Sequence, residues 1–168
     1  MTCDVRRAVC SVNPATCDGL FIPQHAAPST QHVCTMCSKW RDEPDLRVAE
    51  LDRTWVLLNR DQFFPGYCFV VAKVHVTELF HLDSVERSAI MEEVNAVAAV
   101  VAAVFMPDKV NYELLGNMVP HMHWHVVPRF RTDPLWPRPI WSEPHEEVIL
   151  TAVEYAERIA SIKSYLKR

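Results

Sequence analysis

The segment HMHWHVV, residues 121–127, constrains the fold more than any other stretch of this 168-residue chain. Histidines alternate there with apolar residues, at His121, His123 and His125. Because side chains on a β-strand point to opposite faces in turn, a strand would place the three imidazoles on one face and the apolar side chains on the other. The alternation therefore predicts a strand with one core face and one face available for chemistry.

The patterning of the rest of the chain predicts an α+β domain with a mostly antiparallel β-sheet, one long helix and a C-terminal helix. Strands are expected at 46–52, 54–60, 67–76 and 109–116. The long helix is expected to begin at a cap on Asp83 or Ser84 and to run to about Phe105. The last helix is expected from about Glu143 nearly to the end. We assign 32–168 to this domain and 1–31 to a poorly ordered N-terminal extension.

Charge and hydropathy exclude several classes of partner. The net charge is −4 and no basic stripe is visible, so we expect no binding to a nucleic-acid polymer. The most apolar run, Ala96–Phe105, is about half as long as a membrane span requires and predicts a buried helix. No signal peptide is recognised, and six cysteines without one indicate a reducing compartment, so we expect a cytoplasmic protein.

The sequence Cys34-x-x-Cys37 supplies half of a structural zinc site. Such a site normally has four Cys or His ligands, and the chain contains no second pair of this spacing. Histidines would have to complete it, and the natural pair is His75, at the end of the third expected strand, with His121. A free dithiol is the alternative interpretation of the cysteine pair.

The spacing of the histidine row indicates that its members have different roles. On a strand, the Cα atoms of His121 and His125 would lie roughly 13 Å apart, too far for both to bind one ion. If His121 binds a metal, His123 can act as a nucleophile through its neutral imidazole, and His125 can assist as a neighbouring donor. The other histidines fit no spacing and are expected to be ordinary surface or partly buried residues: His25, His32, His81 and His145.

At these residues the chain resembles the histidine triad (HIT) family, in its zinc-bearing branch. HMHWHVV satisfies the signature His-φ-His-φ-His-φ-φ, in which φ is apolar. LLNRDQFFPGYCFVVAKVH resembles the strand–loop–strand segment of the family that ends in Pro-Lys-x-His. CTMC lies where zinc-bearing members carry their cysteine pair. The resemblance covers residues 34–141.

The resemblance implies a HIT-like fold and a homodimeric nucleotidyl hydrolase or transferase. Such enzymes cleave at the α-phosphate of dinucleoside polyphosphates or nucleoside phosphoramidates through a nucleotidyl-histidine intermediate. It implies that His123 is the nucleophile and His125 its phosphate-contacting partner. It also implies that Asn59 holds the ribose, that Leu57 faces the base and that Asn117 contacts the phosphate. The implied zinc ligands are Cys34, Cys37, His75 and His121.

The chain departs from the family pattern beside the row. Met118 stands where many members have Ser or Thr, and the turn LLGNMVP is shorter than the usual glycine-rich loop. The third histidine is present, whereas the uridylyltransferase and dinucleotide-phosphorylase branches have Gln there, which favours hydrolysis. Two alternatives stay open: a metal-dependent phosphohydrolase with a catalytic metal on His123 and His125, and a nucleotide-binding module without turnover.

Overall fold

The computed structural model describes residues 34–166, which form an antiparallel sheet flanked by helices, as the α+β prediction required. The expected N-terminal extension, 1–31, lies outside the described residues, as do His25 and His32. Two short 3-10 turns occupy Pro44–Leu46 and Leu79–His81. The strands are β1 (Arg47–Glu50), β2 (Thr54–Leu58), β3 (Cys68–Ala72), β4 (Lys109–Glu113) and β5 (His123–Arg129), and the helices are α1 (Thr35–Asp42), α2 (Ser84–Phe105) and α3 (Ala152–Leu166).

The five strands follow the order β1-β2-β3-β5-β4, so that the histidine-bearing strand β5 lies between β3 and β4. The register pairs Val71 with His123 and Phe69 with His125. His121 and Met122 precede the assigned strand, but pairing continues there, because the Ala72 N–H donates to the Met122 carbonyl over 3.0 Å. All three histidines of the row are therefore held beside β3.

The two faces of the sheet are covered by different parts of the chain. On one face, Trp124 and Val126 of β5 join a core cluster with the inner sides of α2 and α3. On the other face, Leu57 and Phe69 pack with Met36 of α1 and with residues of the irregular segment 130–142. The histidines lie on this second face, because side chains alternate along β5. The sheet thus carries its main core on one side and its site on the other.

Helix α2 begins where the sequence predicts, because the Asp83 side chain accepts a hydrogen bond from the Glu86 N–H over 2.8 Å. It ends at Met106, whose backbone is left-handed with φ 49°. Its length and composition would allow it to span a membrane, and 28% of its most apolar window is buried. The prediction of a buried helix therefore holds for the face that meets the sheet, whereas Met91, for example, is exposed on the outer face.

Helix α3 begins at Ala152, so the expected start near Glu143 was wrong. The preceding residues are held in an extended path, because Gln62 N–H donates to the Val148 carbonyl and Asp61 forms a bridge with Ile149. The helix starts where Thr151 and Glu154 cap each other, the Thr151 N–H donating to the Glu154 carboxylate over 2.8 Å. The amphipathic pattern of the residues after Glu143 predicts a helix, but tertiary hydrogen bonds hold the residues before Ala152 extended.

Two further elements differ from the sequence predictions. The residues after Cys34 form helix α1, for which the sequence analysis predicts no element. Strand β3 ends at Ala72, so His75 follows the strand rather than ending it. Beyond Ala72 the chain keeps single backbone bonds to its neighbours, from the Lys73 N–H to the Arg53 carbonyl and from the Met122 N–H to the Val76 carbonyl. His75 lies between these two bonds and meets Cys37 of α1.

Gly66 is a position at which the fold requires glycine. Its φ is +88°, and a Cβ there would approach the ring of Phe105 to within 2.5 Å. Its N–H donates to the Gln62 side chain over 3.0 Å, which closes the loop that leads into β3. Gly116 also has a positive φ, +74°, but a Cβ there would approach no closer than 3.9 Å, to the Val119 carbonyl oxygen.

We predict that Gly66→Ala lowers the free energy of unfolding by about 2–5 kcal/mol, through backbone strain and overpacking against Phe105. Gly116→Ala, the matched control, should lose only about 1–2 kcal/mol from the backbone term. Urea unfolding of both variants measures the difference. Equal losses in the two variants would show that the Phe105 ring moves aside without lowering the free energy of unfolding.

Candidate functional site

The first member of the row lies in a cluster of metal-binding side chains. Cys34, Cys37, His75 and His121 each offer one ligand atom, and these atoms lie within 4.8 Å of one another. The Nδ1 atom of His121 is 3.4 Å from each cysteine Sγ and 3.2 Å from Nδ1 of His75. The four residues predicted as ligands are therefore brought together by the fold.

The spacing within this cluster fits a tetrahedral zinc site. With Zn–S near 2.3 Å and Zn–N near 2.0–2.1 Å, tetrahedral geometry requires about 3.5 Å between sulfur and nitrogen and about 3.3 Å between nitrogens. The distances above and the 3.2 Å between Cys37 Sγ and His75 Nδ1 agree to within a few tenths of an ångström. The cluster can hold zinc without rearrangement of the backbone.

The ring orientation of His121 suits metal ligation. Its Nε2 lies 2.8 Å from the Ala72 carbonyl, so Nε2 carries the proton and Nδ1 presents a lone pair to the cluster. Without metal, partial burial and the neighbouring Cys34 raise the pKa of the Cys37 thiol to about 11. A bound cation would have to displace that proton, so metal affinity will fall as the pH falls.

The second member of the row, His123, has the tautomer required of a nucleophile. Its Nδ1 lies 2.6 Å from the carbonyl oxygen of His121 and donates a hydrogen bond to it. The opposite ring nitrogen, Nε2, therefore keeps a free lone pair. Desolvation lowers the pKa of this imidazole, and the charge of Lys39 adds to the effect.

The third member, His125, has the opposite tautomer because of Tyr67. The Tyr67 hydroxyl and His125 Nδ1 form a short, buried hydrogen bond. Burial raises the pKa of Tyr67, so the phenol keeps its proton. We assign the hydroxyl as the donor, because His125 Nδ1 is its acceptor among the described hydrogen bonds, and this leaves His125 with its proton on Nε2. Desolvation lowers the pKa of His125 to about 4, so the ring is neutral at pH 7. Adjacent histidines thus present one lone pair and one N–H.

A cavity of about 300 Å³ opens beside His125, at the lower end of the range for small-molecule sites. Asn59, Tyr67 and Phe69 line it from the sheet. The segment after β5 supplies the opposite wall, including Trp141, which is 55% exposed and meets His125 edge to face at 5.5 Å. The Trp141 indole N–H donates to Glu113.

His145 lines the same cavity, although the sequence analysis treated it as an ordinary histidine. Its Nε2 is 2.8 Å from the Asp61 carboxylate, and its ring stacks on Phe63 with centroids 4.1 Å apart. Asp61 also accepts the Val148 N–H over 2.9 Å, so this carboxylate fastens the segment after β5 to the loop after β2. No spacing in the sequence signals this contact, because it joins residues 84 apart.

The three residues expected to bind nucleotide occupy different positions. Asn59 lies in the cavity wall. Leu57 is on the histidine face but is fully buried in the cluster beneath, away from the cavity wall. Asn117 is exposed in the bend before the row. Of the three, only Asn59 lines the cavity, whose walls reach the row through the contacts of Tyr67 and Trp141 with His125.

We predict that Tyr67→Phe releases His125 from its Nε2–H tautomer while keeping the fold. The change leaves the buried Nδ1 without a donor and should cost about 1–3 kcal/mol of unfolding free energy. Imidazole ¹⁵N chemical shifts would report the tautomer. Tyr155→Phe removes a hydroxyl that donates to the Arg60 carbonyl and should leave the His125 shifts unchanged. Unaltered shifts in Tyr67→Phe would refute Tyr67 as the group that sets the tautomer.

Comparison with known proteins shows the family to which the chain belongs. The chain is 32% identical over 98 residues to AP-4-A phosphorylase of Mycobacterium tuberculosis, a match that covers 55% of this chain. The chain spans about half the length of the curated relatives it matches.

Solved structures give more complete matches. A histidine triad protein from Bradyrhizobium japonicum is 27% identical, with a TM-score of 0.68, and the match covers 75% of this chain and 94% of that one. A histidine triad protein from Marinobacter aquaeolei is 30% identical, with a TM-score of 0.67, and the match covers 72% and 88%. The family model for the HIT domain matches residues 41–132, more than half of the chain. This chain belongs to the histidine triad family.

Proposed function

We propose that this chain is a nucleotidyl hydrolase that cleaves at the α-phosphate of dinucleoside polyphosphates or nucleoside phosphoramidates. The observation that carries the proposal is the pair of opposite tautomers on His123 and His125. One ring offers a nucleophilic lone pair, and its neighbour, with centroids 5.0 Å apart, offers an N–H hydrogen-bond donor. Membership of a family related to AP-4-A phosphorylase supports a nucleotide-processing enzyme.

The reaction would proceed in two balanced steps. His123 Nε2 attacks the α-phosphorus, a P–N bond forms, and the bond from phosphorus to the leaving group breaks. His125 keeps its Nε2 proton and donates it as a hydrogen bond to the leaving atom, and the Tyr67 hydrogen bond keeps the ring aligned. A phosphate leaving group departs as its anion, and an amine takes its proton from solvent. Water then attacks phosphorus, the P–N bond breaks, and the proton that water loses passes to solvent. The nucleoside monophosphate is released and both histidines regain their starting states.

Asn59 is proposed to hold the ribose, a role supported by its place in the cavity wall beside the Tyr67–His125 pair. The contacts of Leu57 with the base and of Asn117 with the phosphate remain proposals. Leu57 would act by shaping the cavity from below, since it has no exposed surface. Asn117 would have to act from the exposed bend before the row.

The zinc site is proposed to be structural. When bound, zinc would cross-link the start of α1 to the segments that carry His75 and His121. Such a link would stabilise the start of α1, where the N-cap residue Cys34 makes no side-chain capping hydrogen bond. His121 Nδ1 faces the cysteines, whereas His123 is not part of the cluster and bonds through its Nδ1 to the His121 carbonyl, so the proposed metal ligands and nucleophile are separate.

We predict one zinc per chain in protein purified without chelator. Cys37→Ser should lose most of the metal and lower the melting temperature, because a ligand of the site is removed. His81→Ala, which alters an exposed histidine, should keep both. Elemental analysis with thermal unfolding tests this. Two zinc ions per chain would favour a hydrolytic metal on the row, and none would refute the site.

His123→Ala should abolish nearly all turnover while the fold, zinc content and product binding persist. His125→Ala should keep the fold and lose a smaller part of the rate, about 10²–10³-fold, because one hydrogen-bond donor to the transition state is removed. Rapid acid quench with an α-labelled substrate, followed by peptide mapping, should place the nucleotide on His123. An adduct elsewhere, or full activity in His123→Ala, contradicts the mechanism.

Phosphorolysis is the second candidate, because the matched Mycobacterium tuberculosis relative is an AP-4-A phosphorylase. Hydrolysis is preferred here because this chain has His125 where the phosphorylase branch has Gln. Turnover of diadenosine tetraphosphate with and without inorganic phosphate separates the two, since phosphorolysis yields a nucleoside diphosphate in place of the monophosphate. The homodimer and the cytoplasmic location expected from the sequence stay predictions.

A further inference from the structure

Lys39 of α1 reaches over the histidine face of the sheet. Its ammonium lies 5.3 Å from the ring centroid of Phe69. That ring is 6.0 Å from the ring of His123 and 5.0 Å from that of His125. The Lys39 side chain is only 16% exposed, because α1 packs across this face through Met36. The Phe69 ring therefore lies between the Lys39 ammonium and the histidine row.

The ammonium is held in place but is not saturated. It donates to the Glu43 carboxylate over 2.6 Å, one helical turn away, and rests against the Phe69 ring. An ammonium has three donors, so the ion pair with Glu43 leaves two for another acceptor. Glu43 and Phe69 thus fix the position of a cation that can still bind an anion.

The histidine row supplies no positive charge of its own to bind a phosphate chain. His123 and His125 are almost completely buried, and a buried imidazole favours its neutral form. Neutral rings can attack phosphorus and donate a hydrogen bond, but they do not balance the negative charge of a phosphate chain. A phosphoanhydride leaving group carries that charge on the phosphates next to the one attacked, whereas the amine released from a phosphoramidate carries none.

We propose that Lys39 binds the phosphate groups that depart with the leaving group, and so makes the enzyme selective for phosphoanhydrides over phosphoramidates. This inference rests on the proposed function and names its substrate class. Lys39 would be a specificity-determining residue, positioned by the same helix that begins at the cysteine pair.

The test compares the zinc-loaded full chain with Lys39→Met on diadenosine tetraphosphate and on an adenosine phosphoramidate. Loss of a charge-assisted hydrogen bond should lower kcat/KM for the tetraphosphate about ten- to a hundredfold and change that for the phosphoramidate less than about twofold. Lys39→Arg should recover part of the loss. Lys109→Met is the matched control, because Lys109 also lies over an aromatic ring, that of Tyr112, on β4. It should match the parent on both substrates.

Lys39 lies two residues from Cys37, so zinc content is measured in every variant, and Lys39→Gln provides a second neutral side chain. Calorimetric binding of AMP, ADP and ATP gives a readout independent of turnover. The parent should gain affinity with each added phosphate, and both neutral variants should lose that gain while binding AMP as before. Equal loss on both substrates, or an unchanged ATP-to-AMP ratio, would overturn the role of Lys39. Should the parent hydrolyse neither substrate, the proposed function fails, and the binding ratio still decides the role of Lys39.

Discussion

The hydrogen-bonded ladder between β3 and β5 aligns Val71 with His123 and Phe69 with His125, and the site depends on that register. A slip of one residue would turn the imidazoles into the core and bring Trp124 out to the site face. The slip is opposed by the core, because Trp124 and Val126 are buried on the opposite face with α2 and α3. Packing on one side of the sheet thus fixes chemistry on the other.

Within this register, three similar imidazoles acquire three different states. Backbone carbonyls fix two of them, Ala72 through Nε2 of His121 and the His121 carbonyl through Nδ1 of His123. A side chain, Tyr67, fixes the third. Each bond occupies one ring nitrogen and leaves the other for a separate task. The structure therefore supports division of labour along the row without any difference in residue type.

Elements outside the sheet complete the histidine face from two sides. Helix α1 brings the cysteine pair and, within the same two turns, Lys39. The segment after β5 brings Trp141 and His145 and is fastened through Asp61. Its contributing residues lie beyond 41–132, the part matched by the family model. The sheet lies within the part matched by the family model. The cavity wall formed by the segment after β5 lies outside that part, and there this chain can differ from other family members in what it binds.

The sequence by itself determined the strands, the common face of the histidines, the Asp83 cap of α2 and the four residues of the metal cluster. These depend on spacing along a few neighbouring residues or on a recognisable ligand set. Only the tertiary structure decided the start of α3 at Ala152, the pairing of Tyr67 with His125 and the arrival of His145 in the cavity. The last two contacts join residues that are 58 and 84 positions apart in the sequence. The extended segment before α3 is held by hydrogen bonds to the loop after β2. Local periodicity fixes which way a side chain points, but the path of the whole chain fixes what it meets.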